Sequence, residues 1–167
     1  MRELLVLRHA KSSWKSPELD DHDRPLNKRG KGDAPRMGRL ILDEGMVPER
    51  IISSTAARAH STAILVANAC GYAADPLVTP RLYLAGPDEY LDLLSELKDG
   101  IGSALVVGHN PGMEELVEEL TGAAEQMPTA ALARIALDLE SWTEIVGPVR
   151  GELLGLWRPK ELPEGPV

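Results

Sequence analysis

The 167-residue sequence contains no phenylalanine and a single cysteine, Cys70. One cysteine excludes an internal disulfide and also any zinc site built on paired cysteines. Without phenylalanine, the core of this 43% hydrophobic chain has to be built mainly from leucine, valine, isoleucine and alanine. No stretch approaches the roughly 18 apolar residues that a membrane-spanning helix needs. We therefore expect a cytoplasmic protein with a packed core.

Positive charge is also scarce, since 18 lysines and arginines face 26 aspartates and glutamates, a formal net charge of −8. A chain this acidic has no overall attraction for nucleic acid or anionic lipid, so we expect neither as a partner. Any anion that it binds must be held by a local cluster of positive side chains. No coiled-coil pattern is present, and a monomer is the default expectation.

Apolar strand-like runs alternate with segments of helical periodicity through most of the chain. Strands are predicted at 4–7, 50–53, 77–79 and 104–107, and helices at 27–45, 56–69, 88–98 and 113–120. This alternation predicts an α/β fold with a mostly parallel sheet covered by helices on both faces. Two later runs, 133–139 and 152–157, are predicted to pair at one edge of the sheet. We expect a single domain over 1–158 and a Pro-rich tail over 159–167.

Arginine and histidine side chains follow several of the predicted strands. Arg8 and His9 come directly after the first strand, and His109 follows the fourth. Arg58 lies in the opening turn of the helix after the second strand. In open α/β sheets, ligands bind beyond the carboxyl ends of the strands. The sequence therefore predicts that these four side chains converge on one site at this edge of the sheet.

Such a cluster suits phosphoryl transfer. An arginine stays charged and can donate two hydrogen bonds to a phosphoryl group at once. Arg8, Arg58 and Arg24 are the candidates for this role. A neutral imidazole can attack phosphorus, and His9, fixed at the end of a buried strand, is the predicted nucleophile. His109 is predicted to donate a hydrogen bond to the phosphoryl oxygens.

The motifs around these residues resemble those of a known family. "LRHA" at the end of the first strand, "SSTAARAHSTA" around Arg58 and "VVGHNPG" around His109 are similar to motifs of the histidine phosphatase superfamily, which includes the phosphoglycerate mutases. The order of "RHAKSSW", an acidic stretch and "RPLNKRG", with the later "MPTAALARIALD", more closely resembles the short SixA-type phosphohistidine phosphatases. The similarity extends from Leu4 to about Trp157.

The resemblance implies a three-layer sandwich with a mixed, mostly parallel sheet. It also implies that His9 becomes phosphorylated, that Arg8, Arg24, Arg58 and His109 form a phosphate pocket, and that neither a metal nor an organic cofactor is needed. The implied substrate is a phosphorylated protein, such as a histidine phosphotransfer domain, or a small phosphorylated molecule.

Other polar residues near these motifs are less specific candidates. Lys11 and Ser12 follow the first strand, and Thr129 precedes a late one; each could contact phosphate or be an ordinary loop residue. Arg24 could instead hold its loop by pairing with Asp21 or Asp23. Arginines at the same edge would repel a cation, so we predict no metal site.

A general acid is missing at the position where larger members of the superfamily commonly carry a glutamate, in the segment after the third strand. That segment reads "TPRLYLAGPDEY" here, with Arg81, Leu82 or Tyr83 at the expected position. A phosphoramidate nitrogen accepts a proton more readily than an alkoxide leaves, so the absence favours cleavage of N–P over O–P bonds. Five nearby acidic residues remain candidates for the general acid: Asp20, Asp21, Asp23, Asp88 and Glu89.

Two further functions stay open. A phosphomonoesterase or mutase acting on small sugar or other organic phosphates would need the acid that the sequence does not show. A non-catalytic phosphate-binding module would have no use for a nucleophilic histidine such as His9. Because no large insertion is visible, we expect a fairly open pocket.

Overall fold

The computed structural model describes residues 1–163, which form a six-stranded sheet and four α-helices. The strands are β1 (Arg2–Arg8), β2 (Arg50–Ser54), β3 (Leu77–Thr79), β4 (Ser103–Gly108), β5 (Leu132–Leu137) and β6 (Gly151–Trp157). The helices are α1 (Lys28–Asp43), α2 (Ala57–Cys70), α3 (Pro87–Ser95) and α4 (Gly112–Thr121). Every predicted strand and helix is present.

The sheet is mixed and mostly parallel, in the order β3-β2-β4-β1-β5-β6. The first four of these strands run parallel to one another, whereas β5 is antiparallel to β1 and β6 is antiparallel to β5. Helices cover both faces. The predicted three-layer α/β fold is therefore confirmed, as is the pairing of the two late strands at one edge.

Alternate residues of β1 enter the cores on opposite faces of the sheet. Leu4 and Val6 pack in the cluster that includes residues of α3 and α4. Leu5 and Leu7 pack in the cluster that includes residues of α1 and α2. Burial of each such side chain contributes about 1.5–3 kcal/mol, so β1 is firmly held at the centre of the sheet. This explains why four consecutive residues of the strand are apolar.

The backbone beyond β1 is hydrogen-bonded on two sides. On one side, the His9 N–H donates to the carbonyl of Gly108, at the end of β4, at 3.0 Å. On the other side, the Ala130 N–H donates to the carbonyls of Arg8 and His9 at 3.1 and 3.0 Å. Ala130 has a φ of 62°, in the left-handed region that residues with a Cβ seldom adopt. Arg8, the last residue of β1, and His9 after it are thus fixed by the sheet and by this turn.

The predicted C-terminal tail begins with residues that pack against the domain. Pro159–Glu161 form a 3-10 turn in which Pro159 is buried, and the Leu162 side chain contacts the core on the α1–α2 face. Residues 164–167 of the predicted tail lie outside the described residues. The division at residue 158 stays a prediction. Over the described part of the chain, no helix is both long and apolar enough to cross a membrane.

Candidate active site

A pocket of about 230 Å³ opens at the carboxyl edge of the sheet. We term it the basic pocket and define it by its lining residues: Arg8, His9, Lys11, Ser12, Trp14, Arg24, Arg58, Leu84, His109, Asn110 and Thr129. The structure therefore brings together all eight residues that the sequence singled out, from five separate stretches of chain. Arg8, His9, Arg58 and His109 meet here because each lies at or just beyond the carboxyl end of a parallel strand, where ligands of open α/β sheets bind.

His9 lies at the pocket with only 6% of its surface exposed. Its Nδ1 is 2.7 Å from the carbonyl oxygen of Ala10, which can only accept a hydrogen bond. Nδ1 therefore bears the proton of the neutral ring, and Nε2 keeps its lone pair. Burial, together with the positive charges of Arg58, Arg8 and Arg24, lowers the pKa of His9 to about 4, although the hydrogen bond to Ala10 opposes the shift. At neutral pH the His9 side chain is an uncharged imidazole, and the lone pair on its Nε2 can attack an electrophile.

His109 is the second buried imidazole of the pocket. Its ring centroid is 5.1 Å from that of His9, and its Nε2 is 2.8 Å from the hydroxyl oxygen of Ser54. That oxygen accepts a hydrogen bond from the Ala56 N–H, so its own hydrogen is free for His109 Nε2. Nδ1 of His109 is buried without a hydrogen-bond partner among residues 1–163. Burial, then the neighbouring His9 and Arg58, lower the pKa of His109 to about 3.

Asp21 joins the arginines of the pocket. Arg58 donates from Nη1 to the Asp21 carbonyl at 2.7 Å and from Nη2 to Oδ2 at 3.0 Å. Arg24 donates from Nη1 to Oδ1 at 2.8 Å, and the Tyr83 hydroxyl donates to Oδ2 at 2.6 Å. The alternative that Arg24 holds its loop by pairing with an aspartate is therefore partly correct. Arg24 pairs with Asp21, but Arg24 also lines the basic pocket. Arg58 likewise pairs with Asp21 and lies against the pocket.

Asp21 is a carboxylate at neutral pH. The hydrogen bond from Tyr83, then those from Arg58 and Arg24, lower its pKa to about 2, although burial opposes the shift. A group in this state cannot supply a proton to a leaving group near pH 7. Asp21 contacts the pocket's arginines without lining the pocket, and the other four acidic candidates do not line it either: Asp20, Asp23, Asp88 and Glu89. Glu89 instead pairs with Arg81 at 3.3 Å.

The loop after β1 folds back over one side of the pocket. Ser12 is buried, pairs with Leu26 through an isolated β-bridge and accepts a hydrogen bond from Arg24 Nη2. The Trp14 ring stacks on the Arg24 guanidinium, 3.2 Å from ring centroid to the central carbon. Lys11 is exposed and Thr129 is half-buried. The four less specific candidates therefore do reach the site, with Arg24 and Ser12 in direct contact.

Sequence reasoning missed several residues of this site. Trp14 was visible only as part of the "RHAKSSW" motif, and nothing in the sequence around Leu84 marks it as a pocket residue. Ser54, which contacts His109, is simply the last residue of a buried strand. Among residues 1–163, no cluster of three or more histidine, cysteine or carboxylate side chains could hold a metal ion.

Comparison with known proteins connects this geometry to a family. The model of the histidine phosphatase superfamily (branch 1) matches residues 4–83. A chloroplast protein of Arabidopsis thaliana, itself uncharacterised, is 35% identical over 170 residues, which cover 95% of this chain and 78% of that relative.

Solved structures extend the likeness to the whole fold. A crystal structure from Agrobacterium tumefaciens, provisionally described as phosphohistidine phosphatase SixA, has a TM-score of 0.80 and 30% identity over 95% of this chain and 98% of that one. The protein histidine phosphatase SixA in complex with tungstate has a TM-score of 0.82 at 23% identity, covering 95% of this chain and 97% of that one, and shows the shared fold. Because the family model and the Agrobacterium tumefaciens structure, at 30% identity over nearly its whole length, agree, the chain belongs to the histidine phosphatase superfamily, as a SixA-type member.

Proposed function

We propose that this protein is a phosphatase that hydrolyses phosphohistidine in proteins through a covalent intermediate on His9. Membership of the superfamily and the SixA neighbours support phosphatase activity in general. The finer proposal depends on one observation: a buried, neutral His9 whose Nδ1 is bound to Ala10 and whose Nε2 retains its lone pair beside three arginines. This is the form that an imidazole needs in order to attack phosphorus.

In the first step, His9 Nε2 forms a bond to phosphorus as the P–N bond of the substrate breaks. The substrate imidazole, protonated on its other ring nitrogen, leaves as a neutral imidazole with the electrons of that bond. In the second step, water attacks phosphorus and the bond to His9 breaks. His9 returns as a neutral imidazole, and both water protons leave on dihydrogen phosphate.

The negative charge of the phosphoryl group is stabilised by arginine side chains that are in position before substrate binds. Arg8, Arg24 and Arg58 present guanidinium groups to the basic pocket, and Asp21 holds two of them. Guanidinium groups held in this way are preorganised donors that stabilise the charge distribution of phosphoryl transfer. When Ser54 donates to His109 Nε2, the ring hydrogen lies on Nδ1, which is buried without a partner among residues 1–163 and is the group that we propose for a hydrogen bond to a phosphoryl oxygen.

The lining of the basic pocket also supports N–P bonds as the preferred substrate bonds. No aspartate or glutamate is among its lining residues, and Asp21 beside it is held as a carboxylate. An alkoxide leaving group would lack a proton donor here, whereas a protonated imidazole leaves without one. This weighs against a phosphomonoesterase of small sugar or other organic phosphates.

We further propose a phosphorylated protein, such as a histidine phosphotransfer domain, as partner, and the cytoplasm as compartment. Cys70 is a free, buried thiol, which suits a reducing environment. No cofactor or metal enters the proposed steps, and a monomer is sufficient for them because this chain alone supplies the basic pocket.

The test measures phosphate release from a histidine-phosphorylated protein and from an alkyl phosphate ester. We expect release from the phosphohistidine only, and a loss of roughly three orders of magnitude or more in His9→Ala. His60→Ala is the matched control, because His60 is half-buried on α2 and does not line the basic pocket. Wild type, and not His9→Ala, should also retain acid-labile ³²P during turnover.

Faster release from the ester would favour the phosphomonoesterase and would require an acid from outside the lining residues. Phosphate binding without release from either substrate would move the protein to the class of non-catalytic binding modules. A His9→Ala variant as active as the wild type would exclude the covalent route.

A further inference from the structure

Two large apolar side chains lie at the basic pocket with much of their surface in solvent. Trp14 is 74% exposed and Leu84 is 58% exposed. They are the only large hydrophobic residues among the lining residues of that pocket, whose remaining side chains are polar or charged. A single exposed hydrophobic residue is ordinary on a protein surface, but two that share a pocket with three arginines call for an explanation.

Trp14 is held in place by the pocket itself. Its ring lies over the guanidinium of Arg24, and that arginine is fixed in turn by Asp21 at 2.8 Å and by the Ser12 hydroxyl. A cation–π contact of this kind restrains the indole although it is exposed. Since the guanidinium occupies only part of the ring surface, most of the indole stays available to another molecule.

Leu84 is held by its backbone neighbours. Its φ of 53° lies in the left-handed region, which is disfavoured for a residue with a Cβ. The preceding Tyr83 is tied to Asp21 through its hydroxyl at 2.6 Å. The following Ala85 packs its carbonyl so closely against Gly112 that a Cβ there would lie 2.1 Å from the oxygen. A non-glycine residue kept in this conformation at a site suggests that the position of its side chain matters.

We propose that Trp14 and Leu84 form an apolar clamp that contacts the leaving group of the substrate and selects the imidazole ring of phosphohistidine. The inference rests on the proposed function. Arg8, Arg24, Arg58 and His9 match the phosphoryl group, so the group attached to phosphorus has to extend toward the exposed part of the lining. A planar ring packs well on an indole, and a protonated imidazole gains a cation–π contact as well. A small hydrated leaving group gains neither.

Two substrates that share the N–P bond and differ in the ring test the clamp. N-phosphoimidazole carries the ring, and phosphoramidate has ammonia in its place. We expect Trp14→Ala and Leu84→Ala each to raise KM for phosphoimidazole about three- to tenfold, with less than a twofold change for phosphoramidate. Trp14→Phe and Leu84→Met, which restore an apolar surface, should recover most of the loss.

Leu77→Ala is the matched control, because Leu77 is also 58% exposed but lies on β3 and does not line the basic pocket. It should change neither substrate's KM. An equal loss on both substrates would mean that Trp14 only positions Arg24 or that Leu84 only shapes its loop, and the clamp would be wrong while the phosphatase stands. Turnover of neither small substrate by a wild type that does release phosphate from a histidine-phosphorylated protein would also overturn the clamp, because recognition would then depend on the protein and not on the ring. No release from that protein either would overturn the proposed function.

Discussion

At the scale of single residues, Asp21 connects Arg24, Arg58 and Tyr83 through one carboxylate and one carbonyl. Two long, flexible side chains are thereby ordered before any phosphate arrives. The entropy of fixing them is lost on folding and not on substrate binding, so the basic pocket meets an anion in nearly its final geometry. Asp21 is best described as a positioning residue, because its contacts run to the arginines.

Asp21→Asn should therefore lower kcat/KM for a phosphohistidine substrate by about tenfold, since the neutral amide holds the two guanidinium groups less firmly. Steady-state kinetics at pH 7 measures the effect. Asp23→Asn is the control, because Asp23 is exposed and, among residues 1–163, its carboxylate pairs only with the neighbouring His22 side chain, at 3.3 Å. A variant at Asp21 that keeps wild-type kinetics would contradict the positioning role.

The sequence identified the residues whose chemistry is obvious and missed those whose role depends on contact. Arg8, His9 and His109 could be placed because each follows a strand, and strand ends meet at one edge. Asp21 could be one of several acids until the fold brought Arg58, 37 positions away, against it. Leu84 carries no chemical mark, and its importance arises from backbone geometry that a pattern of residue types does not encode.

At the scale of elements, α1 packs against the segment that carries Lys11 and Ser12. The Asn27 side chain caps α1 by accepting from the Gly30 N–H at 2.8 Å, and the Asn27 N–H donates to the Lys11 carbonyl at 3.0 Å. A Cβ at Gly30 would lie only 2.2 Å from that carbonyl oxygen. The start of the helix and one side of the basic pocket are therefore in backbone contact.

Gly30→Ala and Gly32→Ala form a matched pair in α1. The first should destabilise the protein by about 1–3 kcal/mol and lower activity, because the helix must move away from Lys11. The second should stabilise it by about 0.5–1 kcal/mol, because a Cβ at Gly32 would meet nothing within 4 Å and alanine favours helix. Urea unfolding measures both. Equal effects in the two variants would mean that the contact with Lys11 is unimportant.

Periodicity located every strand and α-helix of the described residues but none of the 3-10 helices. The bounds of the strands and helices, and the order of the strands in the sheet, depended on tertiary contacts. Helix α3 ends at Ser95 where the sequence predicted residue 98, because the N–H groups of Glu96 and Leu97 turn back to the carbonyls three residues earlier. The two late strands were expected to pair with each other at an edge. That β5 also pairs with the central strand β1 could not be predicted, because an apolar run does not specify its neighbour.

At the scale of the whole molecule, the folded state keeps two histidines uncharged. The pKa of His9 is lowered to about 4 and that of His109 to about 3, in both cases chiefly by burial. An exposed histidine in the unfolded chain titrates near 6.5, so below this pH the unfolded state binds more protons than the folded state. The free energy of unfolding must therefore fall as the pH is lowered from about 6.5 toward 4.

We expect this fall to amount to about 2 kcal/mol per histidine between pH 7 and pH 5. In His109→Gln, one of the two titrating groups is gone, so the fall should be about half that of the wild type. Urea unfolding at pH 7, 6 and 5 gives the comparison, with His60→Gln as a control outside the basic pocket. If His109→Gln kept the full pH dependence, His109 would have to be charged or exposed in the folded protein.

The two ends of the basic pocket differ in how the chain supports them. The backbone at His9 is hydrogen-bonded to Gly108 at the end of β4 and to Ala130 on the other side, whereas Trp14 and Leu84 stand on loops between regular elements. Evolution or a protein engineer can therefore replace the Trp14 and Leu84 side chains, and with them the molecule that is recognised, while Arg24 and Asp21, on the same loop as Trp14, keep the chemistry at phosphorus intact. In this scaffold, substrate preference and the chemistry at phosphorus can therefore evolve independently.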